Sequence, residues 1–204
     1  MYDYHIVLGI IAAAVGLLGY FYYYRDIFRG KTTPHLFSWL SFGLLNAITF
    51  FAQVVKGGGP GAWVTGVSTI TTFGIAFLAI RYGEKHITRF DWICFGGALL
   101  GIVSWQMTND PLWAVIIVTV TDVVAFAPTY RKGYVHPHSE TLANYVLSAV
   151  KYSIGLVALA SFNWTTALYP ASLVISNVIF VALMVYRRRR LAKQSNQATI
   201  ARNG

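Results

Sequence analysis

Seven apolar runs, each close to the length that carries a helix across a bilayer, use up most of this chain. They fall at roughly 4–23, 34–55, 62–81, 90–107, 111–130, 141–162 and 165–186. A helix rises about 1.5 Å per residue and the hydrocarbon core is ~30 Å thick, so about 20 apolar residues make one crossing. In that medium each backbone N–H and C=O needs an internal partner, which long unbroken apolar runs obtain only as helices. Of the 204 residues, 11% are charged, far below the ~25% of a soluble domain. The sequence predicts an all-α membrane protein of seven transmembrane helices. No soluble domain is left over, so the function is expected inside the bundle.

A formal charge of +9 raises the question of nucleic acid, and its placement answers it. Arg25, Arg29 and Lys31 fall between runs 1 and 2. Arg81, Lys85 and Arg89 fall between runs 3 and 4, and Arg131 and Lys132 between runs 5 and 6. Arg187, Arg188, Arg189, Arg190, Lys193 and Arg202 form the tail. That is 14 of the 16 basic residues on one side of seven crossings. Only Lys56 falls opposite, and Lys151 lies within a run. The positive-inside rule then puts the N-terminus outside and the tail in the cytoplasm. The charge is a topology signal, with lipid as the partner and no nucleic acid. The Arg187–Arg190 run reads as a stop-transfer anchor that can also touch anionic headgroups.

The lone cysteine, Cys94, excludes an intrachain disulfide and a cysteine metal cluster. Run 1 lacks a basic leader and a clear cleavage site, so it reads as a retained helix. The segment Lys56–Gly61, KGGGPG, is a turn by composition. Asp110 before Pro111 is placed to cap the fifth helix. His136, Pro137, His138, Ser139 and Glu140 make a polar loop. Its His-x-His pair lacks enough further ligands for a metal site and reads as solvated loop. No cofactor is expected.

An internal repeat comes next. A shift of 106 residues carries Tyr24-Arg25 onto Tyr130-Arg131, Leu36 onto Leu142, Trp39 onto Tyr145 and Ile48 onto Ile154. After a slip of two residues, Ser68 lands on Ser172 and Tyr82 on Tyr186. Runs 1–3 match runs 5–7 in length, spacing and loop charge. Run 4 is an extra crossing, so the triplets share one orientation and form a parallel repeat around a midplane site. The expected organisation is 1–82 first triplet, 83–110 linker helix, 111–186 second triplet and 187–204 basic cytoplasmic tail.

This 3+1+3 layout resembles the SWEET and PQ-loop transporter superfamily over nearly the whole chain, mostly in architecture. The family carries a Pro-Gln near the cytoplasmic end of the first helix of each triplet. Ala127-Pro128-Thr129-Tyr130-Arg131-Lys132 is similar, with Thr129 in place of Gln. The first triplet has Tyr22-Tyr23-Tyr24-Arg25 and no proline. Asn177 matches in position an Asn that the family often carries in the third helix of a triplet; the first triplet has Thr72 and Phe73 there. The resemblance implies a solute bound between the triplets, alternating access by rocking, and Pro128 as a helix hinge, because proline removes a backbone donor and kinks its helix. The departures mark a distant branch whose substrate does not carry over.

Polar residues gather near the middle of the predicted helices: Asn46; Thr69, Thr71 and Thr72; Thr119, Thr121 and Asp122; Ser148, Lys151 and Tyr152; Ser172, Ser176 and Asn177. Ser and Thr there bond their own backbone and serve packing as well as sites. Asp122 and Lys151 are different, because ionisable groups at that depth mark a function unless paired. They are expected to pair. The pair is either a fixed bridge between helices 5 and 6, a clamp for the two ends of a zwitterionic solute, or a site where Asp122 takes up a proton as the bundle changes state. Under the 106-residue shift Asp122 falls on Gly16 and Lys151 on Leu45, so neither charge is repeated. Tyr20–Tyr24, Trp63, Trp92, Trp105, Trp113 and Trp164 read as interfacial belts. Trp39 lies deeper and, with Tyr145, is a candidate for stacking on a solute.

The sequence therefore predicts a transporter or facilitator of a small polar solute. Its expected contacts are Asp122, Lys151, Asn177, Asn46, Tyr152, Trp39, Tyr145 and Ser176, with Pro128 as hinge. The alternative is a seven-helix receptor or sorting protein, with the Asp–Lys pair structural and Arg25, Arg131 and Lys132 reading the ligand. A retinal protein does not fit, since run 7 has no lysine, and no enzyme motif is present. Short loops suggest a bacterial inner membrane. Small-residue runs such as Gly96-Gly97 permit close contact in a homo-oligomer.

Overall fold

The first helix begins where Asp3 accepts the His5 backbone N–H at 3.0 Å, an N-cap. The computed structural model describes residues 3–30, 33–34, 36–83, 89–135 and 142–203, some by backbone alone. These form α1 (Tyr4–Phe28), α2 (Leu36–Val55), α3 (Trp63–Tyr82), α4 (Arg89–Thr108), α5 (Pro111–Val135), α6 (Leu142–Val157) and α7 (Trp164–Asn203). A 3-10 turn, Gly59–Ala62, precedes α3, and no strand occurs among the described residues. The predicted loop 136–140 lies outside them. Asp110 caps α5 as expected, accepting the Leu112 N–H at 3.1 Å.

The helix ends differ from expectation in four places. α1 and α5 run on to Phe28 and Val135, so Pro128 lies inside α5 and does not end it. α7 continues as helix through the basic tail. α6 stops at Val157, not 162, giving a helix about 24 Å long. Asn163 then starts α7 with a reciprocal cap: its Oδ1 takes the Thr166 N–H at 3.2 Å, and its own N–H reaches Thr166 Oγ1 at 3.0 Å.

Among the described residues, five helical segments are long and apolar enough to cross a membrane: α1, α2, α3 with its preceding turn, α5, and α7 as far as Ala192. Their packing is inside out by the standard of a soluble protein. Ser41, Thr49, Gln53, Thr65 and Ser68 are fully buried, while Ile70, Phe77 and Trp164 are about three-quarters exposed. Apolar surface on this scale is tolerated in lipid and not in water. The chain thus fits an integral membrane protein.

α1 packs on α3 and α6; α5 packs on α7 and α2. α2 packs on α3, and α6 on α7. Smaller contacts join α2 to α7 and α3 to α6. Exchanging α1 with α5, α2 with α6 and α3 with α7 returns the same set of contacts. α4, which among the described residues packs chiefly on α5 and α2, breaks the rule.

One end of the bundle is tightly closed. The turn Gly59–Ala62 wedges between α1 and α6. A Cβ on Gly9 would meet the Pro60 carbonyl at 2.7 Å, and one on Gly61 would meet the Gly155 carbonyl at 2.6 Å, so only glycine fits at either place. The Ala160 N–H donates to the Gly58 carbonyl at 3.1 Å. Nearby, Pro170 sits inside α7. A proline has no N–H for the carbonyl four residues back, here Thr166. Gln53 of α2 supplies the missing donor: its Nε2 reaches the Thr166 carbonyl at 2.8 Å, fully buried.

Candidate functional site

Lys151 enters the bundle from α6 opposite Gly16 of α1, where a Cβ would lie 3.4 Å from the lysine Cδ. Glycine there leaves room for the lysine stem. The ammonium donates to Ser68 Oγ at 3.0 Å and lies over two tyrosine rings, 4.6 Å from the Tyr20 centroid and 4.7 Å from that of Tyr152. Cation–π contacts of this kind gain strength when desolvated, and Lys151 is only 5% exposed. Tyr152 ties the cluster together. Its hydroxyl lies 3.2 Å from Ser68 Oγ and 3.3 Å from Asn46 Oδ1.

Asp122 of α5 is 6% exposed. Beside it lies Tyr169, which is itself buried in α7. The expected Asp122–Lys151 ion pair is not formed: no carboxylate oxygen of Asp122 lies within 4.0 Å of the lysine nitrogen. The reason is in the packing. Lys151 fills the α1–α6 contact beside Gly16, whereas Asp122 stands on α5 beside Tyr169 of α7. Each charge has found hydroxyl or ring partners and neither has found a countercharge.

Both charges line one cavity of ≈ 230 Å³. Asn46, Trp39, Tyr145, Tyr152 and Asn177 line it with them, so seven of the eight predicted contacts share one wall. Ser176 is the exception. It is buried, but only its carbonyl has a role in view, accepting the Tyr130 hydroxyl at 2.7 Å. Asn46 and Asn177 each donate Nδ2 to a carbonyl of their own helix, at Phe42 and Leu173, which leaves their amide oxygens for other partners. Trp39 packs on Tyr23 with centroids 4.9 Å apart, and Tyr145 on Phe180 at 4.3 Å. Thr69, Thr71, Thr119 and Thr121 bond back to their own helices, in keeping with packing roles.

Sequence reasoning missed Tyr20, Asn144, Phe42, Phe126 and Tyr169, all on the cavity wall. Tyr20 was expected in an interfacial belt. Because α1 continues to Phe28, Tyr20 lies two turns inside its helix, and its ring faces Lys151 instead. Tyr169 carries no local signal, since it sits among aromatics and small residues at an ordinary helical position.

A second cavity of ≈ 140 Å³ adjoins the first through Tyr20, Trp39, Asn144, Ser148 and Lys151. It is also lined by Gly19, Tyr23 and Leu147. Trp39 and Asn144 stand in the first turns of α2 and α6, and Asn144 is exposed. The combined space therefore reaches toward the end of the bundle that carries the basic connections, away from the closed glycine turn. Among the described residues no group of three or more His, Cys, Asp or Glu could hold a metal. Comparison with protein-family models, curated proteins and solved structures finds no match for the chain.

Proposed function

We propose that this chain is a membrane transporter or facilitator that passes a small polar solute by alternating access at a midplane site. The observation that carries the reading is the cavity, which holds two buried opposite charges that do not neutralise each other, closed at one end and reaching toward the other. A structural bridge would bring the charges into contact. A site that must release its solute leaves them apart for the solute to meet. Buried ionisable groups in a bundle, facing a cavity, are the usual mark of such a pathway.

The architecture that suits this role is seven transmembrane helices as two parallel triplets joined by α4, on the plan of the SWEET and PQ-loop superfamily. The exchange-invariant contacts support it. So do two hydrogen bonds. Tyr24 of α1 donates to the Thr71 carbonyl of α3, and Tyr130 of α5 to the Ser176 carbonyl of α7, each at 2.7 Å. Asn46 and Tyr152, which the 106-residue shift superposes, touch each other. Residues related by a two-fold meet only at its axis, so this contact supports an axis that passes through the cavity. With the basic end in the cytoplasm of a bacterial inner membrane, the described state is open inward and closed outward.

The test is uptake. Purified protein in liposomes is offered labelled amino acids, sugars, vitamins and small carboxylates. Saturable uptake of one of them above protein-free liposomes supports the reading. A folded protein that moves none of them, in either direction of gradient, refutes it.

A further inference from the structure

We infer that the solute is a small zwitterion, bound with its carboxylate at Lys151 and its ammonium at Asp122. The inference rests on the transport reading above and adds the chemical class of the cargo.

The argument is one of compensation. Lys151 and Asp122 are each more than nine-tenths buried, yet lie beyond ion-pair distance of one another in one cavity. A charge held in a low-dielectric space is stabilised only by a partner of opposite sign or by many oriented dipoles. A neutral solute such as a sugar offers neither site a countercharge. A simple anion serves Lys151 and leaves Asp122 as it was, and a simple cation does the reverse. Only a solute carrying both signs compensates the two ends at once.

The surroundings match the ends. Near Lys151 the wall offers Ser148 and Asn144, whose hydroxyl and amide suit carboxylate oxygens. One turn on from Asp122 in α5 stands Phe126, which packs with Tyr145 on the same wall, an aromatic pair that suits an ammonium. The ≈ 230 Å³ space accommodates a zwitterion the size of a single amino acid. Discrimination then comes from two charge contacts at fixed spacing, a stronger filter than shape alone.

The experiment uses the full chain in detergent, with thermal stability and calorimetric binding as readouts. The twenty proteinogenic amino acids are screened first, with glucose, nicotinamide and succinate beside them. Each stabilising amino acid is then compared with its own primary amide, which lacks the carboxylate, and its own deaminated acid, which lacks the amine. The expected result is an amino acid that binds at least about tenfold more tightly than either derivative. Lys151→Met should then erase the preference over the amide, and Asp122→Asn the preference over the acid. A purely structural role for either residue would lower stability without moving these ratios. If a variant does not fold, the wild-type ratios decide the matter alone.

An amide or acid that binds as tightly as its parent overturns the inference. So does an amino-acid screen with no binder. If glucose, nicotinamide or succinate alone binds and is taken up by liposomes, the zwitterion fails while transport stands. If nothing binds and nothing is taken up, both fail.

Discussion

Replacing Gln53 by Met removes the one donor that meets the Thr166 carbonyl from outside its helix. The side chains are close in size, so little volume changes. Pro170 withholds the N–H that would otherwise occupy that carbonyl, and Gln53 Nε2 stands 2.8 Å from it in a fully buried setting. A stranded buried acceptor costs about 1–3 kcal/mol in soluble proteins, and buried polar contacts in membrane bundles average ~0.6 kcal/mol. A loss near 1 kcal/mol is expected, a Tm decrease of about 2–4 °C for a chain of this length. One effect opposes it: Gln53 Oε1 has no partner, and Met removes that orphan too. A double-mutant cycle cancels the opposing term. Pro170→Ala restores the helix's own donor, so Gln53→Met made in that background should cost about 1 kcal/mol less than in the parent. The coupling between the two sites is then about 1 kcal/mol, measured by equilibrium unfolding in a fixed detergent. If the two substitutions are additive, Gln53 does not stand in for the missing N–H and the account of α7 is wrong.

Three further outcomes follow from the same packing. Gly16→Leu should abolish uptake while leaving the protein folded, because the new side chain would occupy the space of the Lys151 stem, 3.4 Å from the position of its Cβ; unchanged uptake would show that the cavity is not the route. Cysteines at Gly57 and Ser161, with Cys94 replaced by alanine, should form a disulfide that stops uptake and releases it on reduction. The 3.6 Å between the Gly57 Cβ position and Ser161 Cβ lies in the usual disulfide range of ~3.5–4.5 Å. The positive φ of Gly57, 73°, adds a strain of about 1–2 kcal/mol that the crosslink must overcome. A crosslinked protein with normal uptake would mean that the glycine turn is no gate. Finally, Tyr24→Phe and Tyr130→Phe should each lower stability by about 1 kcal/mol and add in the double variant, since each removes one 2.7 Å bond to a carbonyl in a separate triplet. Markedly unequal losses would argue against equivalent roles.

The helices were legible because lipid demands long apolar runs, and each of the seven runs became one helix. Their ends were not. Hydropathy drops at Tyr24 because Arg25 follows, but backbone hydrogen bonding does not stop at the lipid surface, and α1 continues to Phe28. That error displaced Tyr20 from the site into a belt. The burial of Asp122, Lys151, Asn46, Asn177 and Tyr152 was also legible, since polar groups stand out against lipid-like neighbours. Their direction was not. A helix turns a side chain by about 100° per residue, and the face that looks inward is set by partners distant in sequence. Gly16 against Lys151 and Tyr169 beside Asp122 are such partners. The pairing of the two charges was inferred from depth alone, and depth does not fix distance. Gln53 and Pro170 drew no notice because each is unremarkable by itself; only their meeting, 113 residues apart for the bonded groups, explains both.

The placement of the two charges also bears on how a solute could drive closure. Under the 106-residue shift Lys151 corresponds to Leu45 and Asp122 to Gly16, so each charge stands where the other half has an uncharged residue. On the proposed plan both belong to the second triplet, but they face the first from different helices: Lys151 lies against α1, while α5 packs along α2. Rocking one triplet against the other must therefore change what surrounds each charge. A ligand shifts such an equilibrium only by the difference in its affinity for the two states. A solute held at one charge alone gains little by closure. One held at both gains from any movement that brings Tyr20, Trp39 and Asn144 over it and excludes water, because both contacts strengthen together in a drier site. On the proposed plan, the asymmetry of the two halves would give a bound solute a direct influence on the conformational equilibrium, and would tie selectivity for a doubly charged cargo to the transport step itself.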